Sequence, residues 1–397
     1  MSDLLDASFA GEWGKAEGSA LTPVFRTANF NEDGTLDYAN PVMRCITEKK
    51  VHEKKLRRGD IILEKSGGTP NRPVGILAYF DSDDLALCSN FNQVLRFDAR
   101  IIVPRYAFYQ LRWLKDRNAF DRYIHKTTGL QNLEMKRFGE LELLVPELST
   151  QLHITDTLDK VLGAQHQLDA QLAKLDSLVK SRFVEMFDGA PWQVVRASDV
   201  MTSFRNGVSP SKDADIHERV LTLSAITQGH FDETAWKDGT FKELPASDKR
   251  VSDSDFYICR GNGNKQLVGV GEFADDNHPE LVFPDTMIAG TINKNLVRKP
   301  FLTQVWKHPS VRRQIEAKAR TTNGTLKINQ KVVSEIRFPL PPLEVQDEFA
   351  SFIERVDKLR FEQLVALKKR GSQHLIAGES SLRVQQDITR WPPRHDL

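Results

Sequence analysis

The sequence predicts an α+β chain made by internal duplication: two related α/β domains, joined and separated by two long helices that pair as an antiparallel coiled coil. Three observations predict it. Residue n resembles residue n + 195 over most of the chain. Each copy begins with short apolar runs set between Gly, Pro, Asp and Ser, the pattern of strands and turns. Each copy ends in a proline and then a long stretch almost free of Gly and Pro, with apolar residues at helical spacing.

With 397 residues the chain suits two domains of roughly 150 residues plus connecting elements. Hydrophobic residues make up 40% and charged residues 27%, the balance of a folded soluble protein, which excludes wholesale disorder. No run approaches the ~18 consecutive apolar residues of a spanning helix, and the first residues lack an export signal. The expected location is the cytoplasm, without membrane contact. Cys45, Cys88 and Cys259 form no CxxC pair and are expected reduced and at least partly buried.

The duplication keeps one ungapped register. Thr27, Gly34 and Asp37 recur as Thr222, Gly229 and Asp232; Asp60 and Gly68 recur as Asp255 and Gly263. Ile61-Ile62-Leu63 meets Phe256-Tyr257-Ile258, and Lys65 meets Arg260. Thr127 and Gly129 match Thr322 and Gly324, while Pro146, Leu148 and Gln151 match Pro341, Leu343 and Gln346. The matches concentrate in punctuation residues, where backbone geometry constrains the side chain most.

The elements follow in order. The first domain is assigned to residues 1–147, with strands at Ile61–Leu63 and Leu85–Cys88 and a helix carrying Phe108, Leu111, Phe120 and Ile124. The loop Thr128-Gly129 and a strand Leu141–Val145 close it. A central helix, 148–189, takes Ser149 or Thr150 as N-cap and stops at Gly189-Ala190-Pro191. Its seam carries Leu158, Gln165, Leu172 and Val179 at one heptad position and Val161, Leu168, Leu175 and Arg182 at the other.

The second domain, 190–342, repeats the plan: a helical stretch with Val305, Val311, Ile315 and Ala319, the loop around Gly324, and a strand Ile336–Leu340. Its opening strand at Trp192–Val195 has no counterpart in the first copy, because Leu5 already aligns with Val200. The distal helix, 343–372, has a stripe of Phe349, Phe352, Ile353, Val356, Leu359, Leu364 and Leu367 and ends near Gly371. The tail 373–397, with Trp391-Pro392-Pro393, leaves two readings open: it completes the first domain, or it stands outside the fold.

The net charge of +1 hides local asymmetry. Asn293–Arg337 holds eleven Lys and Arg against two Glu, and Arg44–Arg58 holds seven against two. Such runs are solvated faces or electrostatic footprints, and composition does not separate the two.

Motifs for chemistry are sparse. There is no Asn/Asp-Pro-Pro-aromatic tetrad of an amino-methyltransferase, no dinucleotide fingerprint, no GxxxxGK[ST] loop, and no HxxxH or HExxH pair among the ten histidines. The one surviving enzymatic pattern is Pro284-Asp285 followed by Glu316-Ala317-Lys318, the loose Pro-Asp…Glu-x-Lys arrangement of metal-dependent nucleases.

Over nearly its whole length the chain resembles the specificity subunits of type I restriction–modification enzymes. The resemblance rests on Gly59–Leu63 with the turn Ser66-Gly67-Gly68, on Thr128-Gly129, and on two Pro-x-Leu-x-x-Gln junctions leading into long helices, Pro146–Gln151 and Pro341–Gln346, the latter with a second proline at Pro342. It implies a non-catalytic, host-defence DNA-binding subunit with two target recognition domains, each reading half of a split, asymmetric site in double-stranded DNA. The paired helices would be spacer and docking surface for two methyltransferase subunits, which restriction/translocase subunits join. No cofactor is expected on this chain; S-adenosylmethionine would sit on the methyltransferase subunits, and ATP and Mg on the restriction subunits. A helix of about 38 residues spans ~57 Å, longer than the ~34 Å turn of B-DNA, which suits it to act as a ruler.

Base-edge recognition needs donors and acceptors on loops, with cations holding phosphates. The candidates in the first copy are Lys65, Ser66, Gly67 and Gly68, with Thr127, Thr128, Gln131 and Asn132. In the second they are Arg260, Asn262, Asn264 and Lys265, with Thr322, Asn323 and Lys327. Arg312, Arg313, Lys318 and Arg320 are expected phosphate holders. The glycine turns read equally as plain strand connections.

Overall fold

The fold was taken from a computed structural model, which describes residues 1–379 apart from 19, 70–71, 127–129, 213 and 323–324. The chain divides into two compact units, Met1–Gln165 with a second segment from Ile376 on, and His166–Leu375, with the boundaries inside the long helices Leu148–Phe187 and Leu343–Glu379.

The first unit is built on a four-stranded antiparallel sheet in the order Leu5–Ala10, Asn92–Phe97, Ile61–Glu64, Leu77–Tyr79. Ile61–Glu64 is buried along its whole length because both sheet faces are covered. Ile61 and Leu63 pack toward the helix Pro104–Asp116 with Phe108 and Leu111, while Ile62 packs on the other face with Phe25, Phe80 and Val94. That accounts for an unbroken apolar triplet where alternation would mark a half-exposed strand. A second sheet runs in the order Val42–Cys45, Leu21–Phe25, Leu87–Cys88, its last pair parallel.

The second unit repeats this plan. Its main sheet has the order Met201–Asn206, Met287–Ile292, Asp255–Cys259, Gly271–Phe273. The central register is conserved residue for residue: Ile61 faces Leu95, and at the repeat offset Phe256 faces Gly290. The second sheet again holds one parallel pair, Ile216–Leu221 with His278–Val282. Duplication is therefore a property of the hydrogen-bonded frame as well as of the sequence.

Several expected elements differ. The first-copy helix ends at Asp116, where Asn118 takes a left-handed φ of 59°, so Phe120 sits beyond it and Ile124 opens a strand. In the second copy His308-Pro309 splits the helical stretch into Lys299–Lys307 and Pro309–Lys318, since proline cannot continue the hydrogen-bond ladder. Only Leu87–Cys88 of the expected Leu85–Cys88 strand is paired. Residues 141–145 form no strand. Their second-copy equivalents Arg337–Leu340 pair with Gln193–Arg196, whereas Leu144 has its N–H and carbonyl satisfied at 2.9 and 2.7 Å by the side-chain amide of Gln110.

The central helix begins at Leu148, which places Ser149 and Thr150 in its first turn rather than at the cap. It ends at Phe187, ahead of Gly189 with φ 75°. The distal helix continues through Gly371 to Glu379; one glycine costs about 1 kcal/mol in a helix without breaking its ladder. Within the second unit the two helices run antiparallel, as Arg182 pairs with Glu348 while Arg360 pairs with Asp176. Phe183, Phe187, Phe301 and Phe349 interlock there, with ring centroids 4.8 to 6.0 Å apart. The seam is buried at Leu168 and Val179, but Leu158 and Val161 are exposed. Cys88 and Cys259 are buried free thiols and Cys45 is half-buried. Among the described residues no helix is long and apolar enough to cross a membrane.

Candidate nucleic-acid interface

In each copy the two candidate segments, far apart in sequence, meet in one small antiparallel ribbon. In the first copy Ser66–Gly68 pairs with Gln131–Leu133, which pairs with Ile124–Lys126. In the second, Gly261–Asn262 pairs with Thr325–Lys327, which pairs with Arg320–Thr322. The registers coincide at one pair under the repeat, Ser66 facing Asn132 and Gly261 facing Lys327, and then part by one residue: a shift in the first copy sets Gly68 opposite Gln131, where the second has Asn262 opposite Leu326. Thr127, Thr128 and Asn323 lie outside the described residues.

Side chains divide by burial into those that build the ribbon and those it presents. Gln131 is buried, and its Oε1 accepts the Val74 N–H at 3.3 Å. A Cβ at Gly68 would lie 2.3 Å from the Val74 nitrogen, so that glycine serves the approach of the chain to itself. Gly67 is required by φ 106°. Lys65 is half-buried, its Nζ donating to Gln93 at 3.3 Å, and burial lowers its pKa from the ordinary lysine value. Ser66 and Asn132 remain partly exposed on facing strands.

In the second copy Arg260 donates to the Asp285 carbonyl at 3.0 Å. The Asn262 and Asn264 side chains accept backbone N–H groups two residues on and shape the turn. Arg312 braces that turn, donating to the Val268 and Gln266 carbonyls at 2.9 and 3.2 Å; its pKa is lowered by desolvation. Arg313, Arg320 and Lys327 are exposed, and among the described residues none has an ion-pair partner. Thr322 lies on the ribbon strand opposite Thr325.

The nuclease pattern is otherwise engaged: the Glu316 carboxylate faces Lys265 at 3.3 Å and Arg312 at 3.8 Å, and Lys318 pairs with Glu335 at 3.1 Å. Sequence reasoning missed the turn that abuts each ribbon, Ser89–Asn92 and Pro284–Met287, whose carbonyls at Phe91 and Thr286 receive the N–H groups of Lys65 and Arg260. Phe91 and Thr286 are unlike, so the repeat gave no signal for them.

The model of the type I restriction modification DNA specificity domain matches residues 19–174 and again 190–369. The chain belongs to this family. Two matches in one chain correspond to the two copies of the frame. The specificity subunit of the type I restriction enzyme StySPI of Salmonella potsdam is 21% identical over 393 residues, covering 87% of this chain and 82% of that protein. The specificity subunit of EcoKI from Escherichia coli (strain K12) is 22% identical over 250 residues. That match covers 58% of this chain and spans about half, 53%, of the relative. The crystal structure of a type I restriction-modification S subunit from M. genitalium shares the fold, with a TM-score of 0.54 at 14% identity over 96% of this chain and 92% of that one. The chain thus carries two matches to the specificity-domain model, and each copy holds one such ribbon.

Proposed function

We propose that the chain reads a split, asymmetric site in double-stranded DNA, each ribbon taking one half. The observation that carries this reading is the recurrence of one ribbon from the same segments of each copy, bearing different side chains: half-buried Ser66 and Asn132 in one copy, half-buried Asn262 and exposed Lys327 in the other. A β-ribbon fits the major groove, where each base pair presents a distinct pattern of donors and acceptors.

The helix pair sets the separation of the two half-sites and docks two methyltransferase subunits, which restriction/translocase subunits join. Exposed Leu359, Phe361, Leu364 and Val365 on the distal helix supply apolar surface for such docking. The chain itself performs no chemistry in this reading; S-adenosylmethionine belongs to the methyltransferase subunits, ATP and Mg to the restriction subunits, and the assembly works in the cytoplasm, where the chromosome lies.

Methylome sequencing of cells with and without the chain tests the proposal. A split motif should disappear on deletion, and exchanging the second domain for that of a relative should change one half of the motif only. An unchanged motif after exchange would reduce the chain to an assembly adaptor. Sequence-independent binding by the chain with its methyltransferase subunits would sink the proposal altogether.

A further inference from the structure

The turn against each ribbon is the same in backbone and unlike in side chain. In the first copy Asn92 N–H donates to the Ser89 carbonyl at 2.9 Å, and the Phe91 carbonyl accepts from Lys65 and Ser66 N–H at 3.0 and 3.2 Å. In the second, Met287 N–H donates to the Pro284 carbonyl at 2.9 Å, and the Thr286 carbonyl accepts from Arg260 N–H at 2.9 Å. These residues correspond at the repeat offset. At the third position of the turn the structural work is done by the backbone carbonyl, and threonine does it as well as phenylalanine.

The Phe91 ring is therefore not required by the fold. It is 55% exposed, belongs to none of the hydrophobic clusters, and among the described residues makes no contact with another ring. At the other end of the same ribbon Leu130 is 53% exposed, where the second copy has Thr325. The first ribbon is thus bracketed by two apolar side chains, the second by two threonines.

We infer that Phe91 is a specificity-determining residue that packs against the 5-methyl group of a thymine in the half-site read by the first copy. The inference rests on the DNA-reading function proposed above. A phenyl ring has no hydrogen-bond donor, and the thymine methyl is the apolar feature that base edges present in the major groove. A minor-groove wedge acts by kinking the duplex at a base step; the backbone of Phe91 is instead joined to Ser66, which faces Asn132, and both carry polar groups suited to major-groove edges. Thr286 offers a single methyl group where Phe91 offers a ring, so the second copy can cover less apolar surface at the equivalent place.

The test uses the full chain assembled with its methyltransferase subunits, on duplexes carrying the motif found by methylome sequencing. Each thymidine is replaced in turn by deoxyuridine, which removes only the methyl group, and affinity is measured by competition. One replacement in the first half-site should weaken binding about fourfold, the worth of one buried methyl-sized group. Phe91→Thr, which installs the residue the second copy uses, should weaken binding of the unmodified duplex by up to that factor and be less sensitive to that same replacement. Equal affinity of Phe91→Thr and the unsubstituted chain, or undiminished sensitivity of the variant to deoxyuridine, overturns the assignment. Indifference of the unsubstituted complex to every replacement, with increased fluorescence of 2-aminopurine placed at one base step, assigns the ring to a wedge and overturns it too. Failure of the unsubstituted complex to prefer its motif over a random duplex overturns the DNA-reading function itself, and this inference with it.

Discussion

The side-chain amides of Gln151 and Gln346, equivalent under the repeat, make the same three hydrogen bonds. Each is fully buried. Each Oε1 accepts the N–H of the residue just ahead of, or capping, a domain helix, Val103 at 2.7 Å and Arg298 at 2.8 Å. Each Nε2 donates to the junction proline, Pro146 at 2.7 Å or Pro341 at 2.8 Å, and to Ile101 or Leu296. Gln346→Leu preserves volume but strands one N–H and two carbonyls, and should destabilise the second unit by about 2–4 kcal/mol. An unshifted denaturant midpoint would refute it. The junction motif was legible in the sequence, whereas its role as a joint needed the partners, which lie far upstream of the glutamine. Glu64 shows the limit of such reading more sharply. It looks like an ordinary strand end, yet it is buried, with Oε1 on Arg72 at 3.0 Å and, among the described residues, no hydrogen-bond partner for Oε2. Burial raises its pKa, with Arg72 opposing. A raised carboxyl contributes stability that is present below its unfolded pKa, about 4.3, and lost as pH rises through the folded value. Glu64→Gln should therefore gain on the unsubstituted chain as pH climbs from about 4 to about 7; a constant difference in thermal midpoint across that range would contradict this.

At the scale of elements, the long helices and the central strand triplets were legible because local pattern alone dictates them: period 3.6 without breakers, and continuous apolar runs where both faces are covered. Residues 141–145 were misread for a physical reason. A strand exists only with a partner, and the apolar character of Leu141, Leu143 and Leu144 reflects packing and contact with the Gln110 amide rather than pairing. The heptad seam was legible as a pattern but not in how deeply it is buried. Its strongest anchorage is the phenylalanine cluster of the second unit, in which Phe349 is wholly buried. Phe349→Ala should cost about 3–5 kcal/mol, seen as early melting of the second unit, whereas Leu158→Ala, at an exposed position, should change the melting temperature of the isolated chain little.

For the molecule as a whole, the basic stretch Asn293–Arg337 promised a larger electrostatic footprint than folding leaves. Lys294 and Lys299 pair with Asp253, Arg298 with Asp347, and Lys307 with Glu272, all acids outside the stretch and invisible to a count along the chain. Arg313, Arg320 and Lys327 stay exposed, and on the proposed reading they are the cations that would hold phosphates. Neutralising any one of them should weaken specific and random duplex binding alike and reduce the slope of log affinity against log salt by about 0.9. An unchanged slope in anisotropy titrations would remove that residue from the interface. The candidate segments were legible as repeated polar punctuation, but their union into a ribbon was not, because pairing between strands distant along the chain leaves no local trace. The backbone-held turns at Phe91 and Thr286 bear on heredity. Because main-chain bonds fix the loop at Phe91 and Thr286, point mutations at those two positions are close to neutral for folding, and on the proposed reading a lineage could drift from one target to another through intermediates that all fold. A random library at Ser66, Phe91 and Asn132 should thus yield mostly soluble proteins with many different preferences, a favourable starting point for a defence system whose opponents also mutate.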